Sequence, residues 1–178
     1  NAPINHLKYG STPAGWNTSG TNAGDASVLY LNSFVDFTKT DAMVLSVPPS
    51  RKQYYVVNYL DNFINTVGSV GTRTTPSGRM TSYLLVGPES KYAGRRHVTI
   101  KGFRYRVMAS DTNLNWMMIG IRADSLVDAS DPSSTASVFQ DVNKKFALNR
   151  LSTFAKNGNA PVYPKRFVTS PSQQQIKR

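Results

Sequence analysis

The sequence has no cysteine, a single glutamate, Glu89, and two histidines, His6 and His97. Without cysteine, disulfides and thiolate metal sites are excluded. The compartment stays open, because exported proteins without disulfides are common. A zinc site needs three or four suitable ligands, and the two histidines could form one only with a distant carboxylate, so no metal and no cofactor is expected. Acids are as scarce as thiols. Asp36 and Asp61 are the two that folding could bring within the ~5–10 Å of paired-carboxylate chemistry. Neither a G-x-x-x-x-G-K-[ST] loop nor a G-x-G-x-x-G turn nor a G-x-S-x-G elbow occurs, so the common phosphate-cradling and nucleophile motifs are missing. No catalytic residue is assigned. No apolar run reaches the ~18 residues of a membrane helix, so no membrane span is expected. The chain opens at Asn1 without a signal-like segment, and the expectation is a processed or truncated chain.

What the sequence does have is short apolar runs in quick succession. "ASVLYL" (26–31), "SFVDF" (33–37), "AMVLSV" (42–47), "QYYVVNYL" (53–60), "FINTVGSV" (63–70), "MTSYLLV" (80–86), "HVTIK" (97–101), "FRYRVMA" (103–109) and "LNWMMIG" (114–120) are rich in Val, Ile, Tyr, Phe and Thr. Turn-forming stretches such as "VPPSRK", "TPSG" and "GPES" separate them. That spacing predicts a mainly β fold, an antiparallel β-sandwich or barrel-like domain. One short α-helix is expected over 132–147. Asp131 suits its N-cap, Pro132 its first position, and Val138, Phe139, Val142 and Phe146 form its apolar stripe.

Residues 1–24 are rich in Asn, Gly, Ser and Thr and read as an N-terminal arm. Residues 152–178 hold three prolines, five Lys or Arg and no acid, and read as an extended basic C-terminal arm. The β domain is then 25–151. If the arms are ordered, something holds them, either the domain's own sheet or a neighbouring chain.

The net charge of +11 is lopsided. Residues 1–90 carry six Lys or Arg against five acids, whereas residues 91–178 carry fifteen against five, a net of +10. Such asymmetry points to an acidic partner such as nucleic acid, an anionic glycan or an acidic protein surface. In "KGFRYRV", Phe103, Tyr105 and Val107 share one face of a strand, and Arg104 and Arg106 share the other. Arg104, Arg106, Lys165, Arg166, Lys177 and Arg178 are the candidate partner contacts. The aromatics alternate away from the arginines, so this face supplies charge without a stacking platform for bases.

"SVGTRTTPSGRMTSYLLVGP" (69–88) sets Arg73 in a run of small polar residues. Its guanidinium can pair with Asp61, hold backbone carbonyls, or clamp an anionic ligand. Together with "QYYVVNYLDNFINTVG" before it, this stretch resembles the signature of the domain of unknown function 1254 family. The likeness continues in "LYLNSFVDFTKTDAMVLSVPP", "SDTNLNWMMIGIRADS" and "VFQDVNKKFAL", covering roughly residues 25–150. The resemblance implies a β-rich domain in a family that has no agreed chemistry. Its members often carry a second C-terminal domain, which is not expected here, and they occur in bacteria, often exported, and in large DNA viruses. The family-like positions are Tyr54, Tyr55, Asp61, Gly71, Arg73, Thr74, Gly87, Pro88, Asn113, Trp116 and Arg122.

Two functions follow as expectations. The first is a non-enzymatic structural or interaction module, bound to other protein chains in an assembly such as a virion shell. The second is a small-ligand-binding or hydrolase-like domain of an exported protein, with Arg73, Asp61, Arg122 and Tyr55 lining a pocket.

Overall fold

The computed structural model describes residues 4–8, 28–49, 54–76, 78–122 and 145–163. They form two packed sheets. The first has the strand order β1–β8–β3–β4, built from β1 (Val28–Asp36), β8 (Leu114–Arg122), β3 (Tyr55–Asp61) and β4 (Thr66–Gly71), all antiparallel. The second has the order β6–β7–β5–β2–β9, built from β6 (His97–Ile100), β7 (Phe103–Ala109), β5 (Thr81–Val86), β2 (Ala42–Val47) and β9 (Ala147–Arg150). This is the mainly β sandwich that the runs predict, with one departure: β5 and β7 are parallel.

Burial explains the two kinds of run. β1 alternates, with Leu29, Leu31, Ser33 and Val35 turned into the core and their neighbours outward. β2 is buried at every position. Its Met43, Leu45 and Val47 enter the core between the sheets, while Ala42 and Val44 join a second cluster with Leu84, Val86, Val98, Tyr105 and Phe154. A strand covered on both faces reads as a continuous apolar run, as "AMVLSV" does. The runs 26–31 and 33–37 are a single strand. Asn32 between them accepts the Trp116 Nε1–H at 3.3 Å without interrupting the ladder.

Three differences stand at the termini. Residues 4–8 dock on the chain's own first sheet. The Asn5 and Lys8 amides donate to the Phe34 and Asn32 carbonyls, and Leu7 is buried. The predicted helix lies outside the described residues up to Asn143 and Lys144. Its last positions are not helical: Phe146 is buried with its ring edge-on to Tyr55 at 5.1 Å, and Ala147 opens β9. The extended C-terminal arm is corrected over its first residues, because Leu151–Lys156 form a helix, α1. Phe154 anchors it between Phe103 and Tyr105, at ring distances of 5.9 and 6.1 Å. A single buried aromatic supplies the contact that composition alone withheld. No described helix is long and apolar enough to cross a membrane.

Candidate functional site

The signature loop after β4 is built tightly from its own residues. Thr72 replaces a ladder partner: its Oγ1 accepts the Tyr55 amide at 2.8 Å, and its own amide donates to the Tyr55 carbonyl at 3.1 Å. Thr74 Oγ1 accepts the Gly71 amide at 2.9 Å. The amides of Thr74 and Thr75 both donate to the Gly71 carbonyl. Thr75 is buried, with its hydroxyl 3.3 Å from that of Tyr83. Tyr55 turns its ring into the core and donates to the Pro48 carbonyl at 2.8 Å, and burial pushes its pKa up. Arg73, like Thr74 beside it, is exposed, and among the described residues no carboxylate forms an ion pair with it. It borders a shallow recess open to solvent, lined also by Tyr54, Tyr55, Ser69, Thr72 and Thr74.

Asp61 is not its partner. Asp61 ends β3 at the β3–β4 turn, whereas Arg73 follows the far end of β4. Six strand steps of about 3.3 Å separate them by roughly 20 Å. The Asp61 carboxylate instead holds its own turn, accepting from the amides of Phe63 and Asn65 and from Asn65 Nδ2. The Asn65 side chain, foremost, holds its pKa below the ordinary value. Asp36 caps the turn after β1 in the same way, with a lowered pKa due first to Thr38, and lies 3.3 Å from Lys39 Nζ. A general acid at neutral pH needs a raised pKa, so this pair of carboxylates serves turns rather than acid–base chemistry.

The other signature positions divide the same way. An added Cβ at Gly87 would stand 2.8 Å from Phe37. The Asn113 carbonyl accepts the Phe37 amide at 2.8 Å. Arg122 is exposed, and its amide donates to the Tyr54 carbonyl, so Arg122 reaches the same end of the sandwich as Arg73. Among the described residues no three His, Cys, Asp or Glu come together.

The basic strand face is larger than Arg104 and Arg106. β6 pairs with β7 so that His97 stands opposite Arg106 and Thr99 opposite Arg104. Residues 91–106, "KYAGRRHVTIKGFRYR", contain six Lys or Arg and no acid. All six, Lys91, Arg95, Arg96, Lys101, Arg104 and Arg106, are exposed. β6 is a sheet edge. Tyr105 is fully buried on the opposite face, under α1. Four of these cations were missed from the sequence. Their signal was the acid-free run itself, but gathering them needs the β6–β7 register. Lys165, Arg166, Lys177 and Arg178 lie outside the described residues.

The family model described as protein of unknown function (DUF1254) matches residues 4–146. The chain belongs to this family. The match begins inside the stretch read as an N-terminal arm, consistent with residues 4–8 forming part of the first sheet. The fold is similar to that of the VPA0106 protein of Vibrio parahaemolyticus, with a TM-score of 0.61 and 18% identity over 98% of this chain. An uncharacterised protein of Burkholderia cenocepacia matches 84% of the chain at 12% identity with a TM-score of 0.43. The chain spans 36% of the length of each of these two proteins. No curated protein matches it.

Proposed function

We propose that this domain is a non-enzymatic interaction module that docks on an acidic protein surface through the β6–β7 hairpin. One observation carries the reading: six exposed cations and no acid within residues 91–106, three of them (Lys101, Arg104 and Arg106) on the β6–β7 hairpin and three (Lys91, Arg95 and Arg96) in the segment leading into the edge strand β6. Like charges held this close raise the local potential and steer an acidic partner. They also keep the β6 edge from pairing with other strands. Base reading lacks support, since Phe103 and Tyr105 pack toward α1 rather than beside the arginines. Binding of a poly-glutamate peptide and of duplex DNA to the protein tests this across a salt series. The expected result is peptide binding that weakens about tenfold or more in a variant carrying Arg104→Ala and Arg106→Ala. Tighter binding to DNA, with a log–log salt slope near −0.9 per phosphate contacted, would make nucleic acid the partner instead.

A second reading rests on Arg73, a signature residue that the loop does not use for its own structure. Facing the open recess with Tyr54, it suits a small anionic ligand. Loss of such binding in Arg73→Ala, with unchanged melting, is its test.

A further inference from the structure

The β6–β7 hairpin leaves a defined set of backbone groups unpaired. Lys101 and Gly102 join Ile100 to its partner Phe103, both at positive φ (50° and 78°), as in a type I′ turn. Such a turn makes Ile100 and Phe103 a hydrogen-bonded pair. Bonded and non-bonded pairs alternate along an antiparallel ladder, so the next bonded pairs are Val98 with Tyr105 and Arg96 with Val107. The Val107 amide does donate to the Arg96 carbonyl, at 3.0 Å. His97 and Thr99, opposite Arg106 and Arg104, are therefore the non-bonded positions, and their amides and carbonyls point away from β7. No described strand lies on that side, because β6 ends its sheet.

The two faces of this edge differ. On one, His97 and Thr99 are exposed beside exposed Arg104 and Arg106. On the other, Val98 is buried and Ile100 and Phe103 are half-buried, in the cluster that holds Phe154. None of the six cations of residues 91–106 forms an ion pair among the described residues.

We infer that the acidic partner arrives as an extended segment and adds to β6 as a further strand. This rests on the proposed docking role of the hairpin and deepens it. Free amides and carbonyls at strand spacing match a peptide backbone, which nucleic acid lacks. The cations that deter other strands from this edge attract one whose own side chains are acidic. The added strand alternates. Its acids lie on the face of His97 and Thr99, and its apolar residues lie on the face of Val98 and Ile100. Arg104 stands two strand spacings, about 10 Å, from the added strand. Thr99 between them is short enough to let the guanidinium cross to a carboxylate.

The test uses the whole chain and three capped peptides: alternating Glu and Val, the same peptide N-methylated throughout, and poly-glutamate. N-methylation removes the ladder donors and leaves charge and side chains unchanged. The Glu-Val peptide is expected to bind about tenfold or more tighter than its N-methylated form. It should slow hydrogen exchange at the His97 and Thr99 amides, and leave the Val98 and Ile100 amides, already bonded to β7, unchanged. Equal affinity for the two forms, or His97 and Thr99 amides that stay as fast as in the free protein, overturns strand addition. Poly-glutamate separates this from the docking role. If it binds, and loses affinity in the Arg104→Ala, Arg106→Ala variant at unchanged melting, while those amides stay fast, strand addition alone falls. If neither it nor the Glu-Val peptide binds, the docking role falls as well.

Discussion

A Cβ placed on Gly71 would stand 2.4 Å from the Tyr55 carbonyl oxygen and 3.1 Å from the Val56 Cα. Backbone, not a flexible side chain, fills that space, so neither strand can give way locally. The Gly-Thr-Arg-Thr-Thr run is therefore fixed by how closely β4 approaches β3. Gly71→Ala is expected to cost about 2–3 kcal/mol, as for overpacking against an unyielding neighbour. Arg73→Ala, two residues on, is expected within about 0.5 kcal/mol of wild type, as for an exposed side chain without a partner. This replaces the Asp61 ion pair as the basis for judging Arg73. Chemical denaturation of both variants checks the contrast, and a strongly destabilised Arg73→Ala would return the residue to a structural role.

Tyr55 and Tyr59 give a second contrast on one strand. Both are buried, but the Tyr55 hydroxyl donates to the Pro48 carbonyl, whereas the Tyr59 hydroxyl has no partner among the described residues. Tyr55→Phe strands a buried carbonyl and is expected to cost about 1–2 kcal/mol. Tyr59→Phe removes an unsatisfied group without opening a cavity and is expected to be neutral or stabilising by up to about 1 kcal/mol. Equal losses in both variants, read from denaturation midpoints, would contradict the difference in satisfaction.

Where packing writes itself as period, the sequence is legible. β1, β2, β5 and β7 follow from alternation or from continuous apolar runs, and "FRYRVMA" even shows which face carries the arginines. β9 is not legible. "ALNR" has little strand preference, and it becomes a strand because the buried edge of β2 needs hydrogen-bond partners. Phe154 was hidden for a related reason. Its six-residue helix exists through one docked ring, a tertiary effect that local propensity does not report. In the candidate site, the motif was visible but its roles were not. Asp61 and Arg73 look adjacent in the sequence pattern, and the hairpin's extended geometry puts them at opposite ends.

That docked ring yields its own prediction. Phe154 is fully buried among Phe103, Tyr105 and the outer face of the second sheet. Phe154→Ala is expected to cost about 3–5 kcal/mol and to release α1 together with the residues that follow it. Hydrogen exchange should then show lost protection at the Asn157 amide, which donates to the Thr153 and Phe154 carbonyls. Because Tyr105 lies beneath the same ring, its phenol would gain solvent and titrate in the folded protein.

In the wild-type protein the alkaline behaviour should be the reverse. Tyr105 is fully buried with an unpartnered hydroxyl, and burial pushes its pKa up to about 12. Burial raises that of Tyr59 further. In the unfolded chain both ionise near pH 10. Below that pH the two states hold the same protons on these groups, so stability from them is fully present. Above it, the unfolded chain loses protons that the folded chain retains, so stability falls with rising pH by about 1.4 kcal/mol per unit for each tyrosine. From pH 10 to 12, Tyr105 alone then removes roughly 2–3 kcal/mol, and Tyr59 adds a comparable loss. Against a typical total of about 5–15 kcal/mol, this predicts cooperative alkaline unfolding near the top of that window. Phenolate absorbance and circular dichroism followed together provide the measurement. Tyr59 and Tyr105 should ionise only as the fold is lost, and Tyr105→Phe should move the midpoint to higher pH. Smooth ionisation of every tyrosine with the β-sheet signal intact would refute the burial of both phenols.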